Sequence, residues 1–353
     1  MIKNSLSKML IDWYVKQKIS LPWRDLNPNL YRTWISEIML QQSQVKTVIP
    51  YFNSWFKKFP DITSLANATI DEVLKSWEGL GYYRRAHYIH KASKLIIKKH
   101  NGKIPDTYVE LIKVPGIGDY TASAILGIGH NLPFFAVDGN FIRVFSRVFK
   151  IKGSKSKLTK QIKKNLSQRA IIDFASFNQA VMDLGRTICR PIPACSLCPI
   201  SIECLAHKHL QTDKYPQKSI KKNKPNYNVV VGIIYKKDNF IITQRKNEGL
   251  LGGLWELPGG KIKKGETREN ALIREIREEL NITIDIKKKL PEIRHEYSHF
   301  KVKIYPYICS YNGGKVALVG PVAWGWMNMN EVKTKSFPKA THKVFNLMDN
   351  VSL

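Results

Sequence analysis

Over the N-terminal half of the chain, apolar positions recur at spacings of three and four. Trp34, Ile35, Ile38 and Met39 form one stripe, Leu65, Ile70, Val73, Leu74 and Trp77 a second, and Ile89, Leu95 and Ile96 a third. That period gathers apolar side chains on one helix face, so residues 1–205 are expected to fold as helices. Breaks at Pro60-Asp61, Asn101-Gly102 and Ile104-Pro105 separate the segments.

The pattern then changes. Residues 211–228 are lysine-rich, carry Pro216 and Pro225 and offer almost nothing to bury, which predicts a solvated linker. Residues 229–235 and 240–243 are β-rich and flank the polar Lys236-Lys237-Asp238-Asn239, which signals a hairpin. One helical pattern follows at 267–280, and strand-like runs such as 302–308 come after it. A chain of 353 residues suits two domains better than one. The expected division is an all-α domain at 1–205, a basic linker at 206–226 and an α/β domain at 227–353, with no long-period repeat.

Charge narrows the partners. Lys and Arg total 57 against 28 acidic residues, a net +29 that favours nucleic acid first and an anionic membrane second. Lys-Lys pairs scattered along the chain show that a lysine-rich composition contributes. The longest apolar runs, such as 229–235, hold about seven residues where a spanning helix needs ~20, which excludes the membrane reading. Asp12, Lys16 and Lys18 interrupt the N-terminus, so no secretory signal is read and a cytoplasmic, nucleoid-associated protein is expected.

Four groups of residues carry candidate chemistry. Val114-Pro115-Gly116-Ile117-Gly118 sets two glycines in a tight turn before an apolar helix at 121–128, where close backbone approach and free N–H groups can hold a phosphate. Cys189, Cys195, Cys198 and Cys204 are separated by five, two and five residues. Four thiolates can hold zinc or an iron-sulfur cube, and the single Cys-x-x-Cys pair favours the cube. Cys309 lies apart among strand residues and reads as core. Glu37 sits among Trp34, Ile35, Ile38 and Met39, and burial there would keep it protonated as a general acid requires. Asp138 opens the helix at 141–149, where backbone N–H groups should keep it ionised. Such an unequal pair suits hydrolysis of an N-glycosidic bond. Finally, Glu275, Glu278 and Glu279 share one helix face and with Glu266 could ligate Mg²⁺ beside a diphosphate.

The glycine turn resembles the helix-hairpin-helix element of DNA repair proteins, which grips backbone without reading sequence. The cysteines resemble the [4Fe-4S] loop of the endonuclease III and MutY glycosylases, whose first gap is one residue longer than that at 190–194. Pro22-Trp23-Arg24, the run Trp34-Ile35-Ser36-Glu37 continuing to Val45, and Gly79-Leu80-Gly81-Tyr82-Tyr83 make the likeness specific. In this order they resemble the adenine DNA glycosylases, the MutY family, over nearly the whole chain.

The resemblance implies a catalytic set of Glu37, Asp138, Tyr120 and Asn140. An isolated helical Glu is ordinarily solvated, and an Asp before a helix is ordinarily an N-cap worth about 1 kcal/mol. The surrounding motifs favour catalysis for both. Tyr120 stands where lyase-competent relatives carry a Schiff-base lysine, and Ile142 is likewise no amine, which implies base removal without strand cutting. An adenine must be flipped out of the duplex to be reached. Gln42 and Tyr82 match wedging positions, Ser43 a contact to the opposite base, Gly116 and Gly118 the backbone grip, and Trp23, Arg24 and Asp183 the adenine pocket.

Residues 260–282 follow the Nudix box with Asn281 in place of Gly. In the family this domain resembles the Nudix hydrolase of 8-oxo-dGTP, usually without the acidic ligands, and recognises oxidised guanine. This sequence keeps Glu266, Glu275, Glu278 and Glu279, and Tyr297-Ser298-His299 matches the lesion-sensing loop. The expected protein is a monomeric, monofunctional glycosylase acting on A:8-oxoG or A:G in double-stranded DNA. It would carry a [4Fe-4S] cluster at 189–204, Mg²⁺ in the second domain, and a linker on which replication or repair proteins dock. Two alternatives are an added Mg²⁺-dependent 8-oxo-dGTP hydrolase activity and a catalytically silent lesion binder.

Overall fold

The computed structural model describes residues 6–24, 29–217 and 223–348. Up to residue 217 the described chain is helical: α1 (Leu6–Gln17), α2 (Leu30–Leu40), α3 (Val45–Lys58), α4 (Ile62–Asn67), α5 (Ile70–Trp77), α6 (Arg84–His100), α7 (Tyr108–Leu111), α8 (Asp119–Ala124), α9 (Gly139–Val148), α10 (Lys155–Ser167), α11 (Phe174–Thr187) and α12 (Leu205–Lys208). Side chains cap several of these helices. Asn29, Ser154 and Asp173 accept backbone N–H bonds at the starts of α2, α10 and α11, and Thr69 with Glu72 closes a capping box on α5. Among the described residues no helix is long and apolar enough to cross a membrane.

The chain resolves into two compact units, one of Met1–Asn67 with Lys91–Ile220, the other of Ala68–His90 with Lys221–Leu353. In the first, α1 and α9 pack on α11 and α10 packs on α9, around a core that includes Phe141, Phe145, Phe177, Leu166 and Leu184. The helix expected at 121–128 starts earlier, at Asp119, and continues as a π-helical turn at Ile125–Gly129. Gly127 lies in that turn, where a Cβ would stand 2.3 Å from the Phe134 carbonyl oxygen.

The linker expectation needs correcting at its start. Tyr215 is buried in the core of the first unit, and its carbonyl accepts from Arg147 Nε at 3.0 Å. Residues 212–215 therefore dock rather than float, because a buried guanidinium draws on their carbonyls. Residues 218–222 of the expected linker lie outside the described residues.

In the second unit, strands β1 (Asn226–Lys236), β2 (Asn239–Gln244), β3 (Trp255–Glu256), β4 (Gly259–Lys261), β5 (Thr283–Lys289), β6 (Ile293–Glu296), β7 (Lys301–Gly313) and β8 (Ala323–Met327) form one mixed sheet. β1 and β7 pair in parallel at its centre, and the remaining pairs are antiparallel. The hairpin expected after residue 235 forms with Lys236 opposite Asn239, and Lys237 takes φ 55° in the turn. Helices α13 (Arg268–Leu280), α14 (Met329–Val332) and α15 (Lys339–Met348) join the sheet in this unit, which also takes in α5. Val230 and Ile234 of β1 join the core with Leu272 and Ile276 of α13, while Ile233 joins the core with Val344 and Phe345 of α15. A strand buried on both faces reads as a continuous apolar run, which is what residues 229–235 show.

Thr267 caps α13, and Asn281 ends it at φ 56°, ψ 34°. That left-handed position is where the sequence pattern calls for Gly, and Asn is among the few other residues that tolerate it. Asn281→Val is expected to destabilise this unit by ~1–2 kcal/mol while Asn281→Gly does not, read as faster amide hydrogen exchange along α13 for the valine variant alone.

Candidate active site and nucleic-acid interface

α2 is buried on nearly every side, and Glu37 in its last turns is 5% exposed. Its Oε2 accepts from Tyr120 Oη at 2.5 Å. Burial pushes the Glu37 carboxyl up to about 7; the Tyr120 bond pulls it down, Asp138 pushes it further up, and Arg24 pulls it down. Burial also holds the Tyr120 hydroxyl well above the ordinary tyrosine value, with Glu37 and Asp138 adding to it, so the phenol remains a donor.

Asp138 is the N-cap of α9. Its Oδ1 accepts from Phe141 N at 2.7 Å and its Oδ2 from Asn140 Nδ2 at 2.7 Å. Burial nonetheless pushes this carboxyl above its ordinary value against those donors and the nearby Arg143 charge. This corrects the expectation that the helix start alone would keep it low. The two carboxyls differ in their donors: Asp138 is bonded by a backbone N–H and an amide, Glu37 by one phenol.

A cavity of about 930 Å³ is lined by Glu37, Asp138, Tyr120 and Asn140, and also by Trp23, Arg24, Gln42, Ser43 and Asp183. Arg24 Nη1 meets Asp183 Oδ2 at 2.5 Å, and Arg186 meets the other Asp183 oxygen at 3.0 Å. Trp23 lines the cavity and also packs edge-on against Phe52 at 5.3 Å. Gly116 (φ 80°) shapes the turn before α8, and a Cβ at Gly118 would meet nothing within 4 Å, so the space before that helix is open. Lys163 reaches Asp119 beside it at 2.9 Å. Gln42 (φ 59°) and Tyr82 (φ 50°), the two wedge candidates, both hold left-handed backbone, an uncommon state for such side chains.

The cysteines Cys189, Cys195, Cys198 and Cys204 line one small cavity with Arg147 and His207. Among the described residues no three His, Cys, Asp or Glu side chains are placed to hold a metal ion. Four thiols around a shared space are a donor set that suits either a tetrahedral ion or an iron-sulfur cluster. Arg147, 3% exposed, donates to Cys189 Sγ at 3.3 Å and to the carbonyls of Arg190 and Pro191 at 2.7 and 2.9 Å. One turn earlier, Arg143 donates to the Cys189 carbonyl and to Asn140 Oδ1, each at 2.7 Å. A continuous polar path thus runs from the cysteine loop through Arg143 and Asn140 to Asp138. Sequence reading missed both arginines, although Arg147 lies among Val144, Phe145 and Val148 on an apolar stripe, which is itself a signal. It also missed Asn178, whose side chain bonds Ala136 N and the Phe134 carbonyl and so fixes the approach to Asp138.

In the second unit, Tyr297 stacks on Phe300 at 4.6 Å and is half-buried, leaving Ser298 and His299 exposed. Tyr82 belongs to this unit, where its hydroxyl donates to Ser298 Oγ and its ring lies edge-on to His299 at 6.4 Å. The acidic box is arranged otherwise than expected. Arg274 takes Glu266, Glu275 and Glu278 at 2.7, 2.7 and 2.9 Å, holding the Glu266 carboxyl down at about 2. Glu279 is pushed up to about 7 by burial and by Glu256. As the side chains stand, one guanidinium joins three of the four carboxylates, and among the described residues they are not placed to hold a metal ion.

Residues 35–168 match the family model described as HhH-GPD superfamily base excision DNA repair protein, and residues 229–347 match the NUDIX domain. Adenine DNA glycosylase of Buchnera aphidicola subsp. Acyrthosiphon pisum (strain APS) is 35% identical over 99% of this chain and 100% of its own length. Adenine DNA glycosylase of Homo sapiens is 30% identical over 96% of this chain and 73% of its own. Among solved structures, a thermostable thymine-DNA glycosylase shares the fold at TM-score 0.51 and 22% identity, covering 57% of this chain and 95% of that one.

Between its ordinary value of 4.5 and about 7, the folded protein keeps the Glu37 proton that an unfolded chain releases, so stability falls as pH rises across that window. Glu37→Gln should therefore raise the melting temperature at pH 8, by an amount equivalent to up to about 3 kcal/mol, with the gain shrinking toward pH 4.5.

Proposed function

The chain belongs to the adenine DNA glycosylase family, and on that premise we propose that it hydrolyses the N-glycosidic bond of adenine opposite 8-oxoguanine or guanine in duplex DNA, without cutting the strand. The observation that carries the reading is a carboxyl at Glu37 that remains neutral near pH 7 and lines the same cavity as the donor-bonded Asp138.

An adenine extruded into the cavity would lie within reach of both groups. Glu37 gives its proton to a ring nitrogen of the base as the bond to C1′ breaks, and the bonding pair leaves with adenine. Positive charge then resides on the sugar, where Asp138 stabilises it or captures it covalently. Water completes the hydrolysis at C1′, and its proton restores Glu37. Tyr120 offers a hydroxyl and no amine, which supports base release as the end of the reaction. Arg24 and Asp183, already paired, present fixed polar edges to the base. In the first unit Gln42 wedges into the stack, Ser43 faces the opposite base, and Gly116 and Gly118 hold backbone phosphate; Tyr82 is the wedging residue of the second unit. Ser298 and His299 are the exposed groups that read the lesion, with Tyr297 as their packed anchor.

Cys189, Cys195, Cys198 and Cys204 would hold a [4Fe-4S] cluster, which when bound cross-links this loop through its iron–thiolate bonds. Arg147 supplies positive charge and donors beside it. Arg274 already pairs with Glu266, Glu275 and Glu278, and the proposed reaction draws on no Mg²⁺.

Glu37→Gln should bind a lesion duplex as the parent does yet release adenine at least ~10³-fold more slowly in single turnover; an unchanged rate would remove the acid assignment and a rate of zero in the parent would leave a silent binder. The parent rate should decline as pH rises through about 7, as Glu37 loses its proton. Protein purified without oxygen should show a broad absorbance band at the edge of the visible, whereas a colourless, zinc-loaded protein would overturn the cluster assignment.

A further inference from the structure

The turn that carries Tyr82 is anchored at its root as well as at its tip. Glu78 is the C-cap of α5, immediately before Gly79 (φ 90°) and Gly81 (φ 79°). Its Oε1 accepts from Phe337 N at 2.8 Å and bonds His342 Nε2 at 2.8 Å, while Oε2 meets Lys75 Nζ at 2.6 Å. Lys75 in turn donates to the Lys335 carbonyl at 2.9 Å, and Lys335 Nζ lies 3.4 Å from Asp71. All of these residues belong to one unit.

The turn itself is braced from within. Trp77 Nε1 and Arg85 Nη2 both donate to the Gly81 carbonyl, at 3.0 and 2.9 Å, and Gly79 N donates to Tyr83 Oη at 2.9 Å. Gly79–Tyr83 is therefore a rigid arch with two feet. One foot is the Glu78 carboxylate, on Phe337 just before α15 and His342 within it. The other is the Tyr82 hydroxyl, on Ser298. Moving the first foot moves the second, since the arch between them has little freedom.

We propose that Glu78 is a positioning residue for lesion recognition: by fixing the 79–83 arch to Phe337 and His342, it sets where Tyr82 stands beside Ser298 and His299, and thereby the preference for A:8-oxoG over A:G. This rests on the reading of Tyr82 and the 297–299 loop given above. Glu78 touches neither base nor sugar, so its effect falls on discrimination and not on bond cleavage.

The test is single-turnover adenine release and equilibrium binding by the full-length protein on A:8-oxoG and A:G duplexes. Glu78→Ala and His342→Ala are each expected to lower the ratio of A:8-oxoG to A:G affinity about tenfold. The double variant should do no worse than either, and the rate on saturating A:8-oxoG should stay within twofold of the parent. Glu78→Gln, which keeps an acceptor for the Phe337 amide, should recover much of the ratio. Tyr82→Phe separates the two readings. If it lowers the ratio while Glu78→Ala and His342→Ala leave it within twofold, the anchoring role is wrong and the wedge reading stands. If Tyr82→Phe, which keeps the ring and removes only the hydroxyl bonded to Ser298, also leaves it unchanged, the second foot sets nothing and the proposal falls. The wedge reading falls if Tyr82→Ala behaves as the parent. Equal loss of rate on both duplexes in Glu78→Ala and His342→Ala would mean simple loss of structure and would overturn the proposal.

Discussion

The proposed chemistry depends on keeping one carboxyl neutral inside a protein whose net charge is +29. Every cation near Glu37 favours ionisation, and at an effective dielectric near 20 a unit charge at ~4 Å is worth about 4 kcal/mol, enough to cancel the effect of burial. The structure avoids this by committing Arg24, a cation that acts on Glu37, to another partner. Arg24 is in contact with Asp183, which is 2% exposed in its side chain and shared with Arg186. The pull of Arg24 on Glu37 is accordingly the smallest of the named influences, and desolvation the greatest. Surface lysines act across solvent and are screened within ~8–10 Å. A strongly basic protein can thus grip a polyanion and still hold a protonated acid beneath it.

Asp138 solves the opposite problem, and its solution extends far into the first unit. A carboxylate pushed upward by burial needs donors, and those donors need fixing. Asn140 is held by Arg143 and packs against Gly185, where a Cβ would come within 2.6 Å of Asn140 Cβ. Arg143 is held by the carbonyls of Gly185 and Cys189. Arg147, deeper still, would cost several kcal/mol to bury unpaired; carbonyls of Arg190, Pro191, Thr212 and Tyr215 accept its protons instead. One helix, α9, therefore organises the acidic group at its start and the cysteine loop along its length.

Legibility followed the range of the forces involved. Periodicity of three and four located the helices, the continuous apolar run at 229–235 located the central strand β1, and Thr267 marked the start of α13 where the capping side chain sits. These are local effects. The π-turn at Ile125–Gly129 escaped because it arises from close approach to the Phe134 carbonyl, which no window of sequence contains. Tyr215 was read as solvated because its neighbours are polar, whereas its burial comes from Arg147 far upstream. Grouping of Ala68–His90 with the C-terminal residues was likewise invisible, since α5 carries the same amphipathic signature as helices of the first unit. Glu37 and Asp138 stood out by their apolar and helix-start surroundings and by likeness, and the backbone donor to Asp138 followed from its place; the Tyr120 hydroxyl on Glu37 and the Asn140 amide on Asp138 did not.

The acidic box shows how a motif can persist while its residues take up other contacts. Gly260 has no room for a side chain, because a Cβ there would lie 2.2 Å from Glu275. Arg274 bonds Glu266, Glu275, Glu278 and the Lys261 carbonyl, and Glu266 also accepts from Lys263 N. These bonds fasten residues 260–266 onto α13. That segment follows β4, which pairs with β1, and β1 pairs with β7, the strand that begins just after the 297–299 loop. Carboxylates gathered on one helix face repel each other unless a cation is among them, and here the chain supplies its own. A network closed in this way holds its loop without any ion from solution.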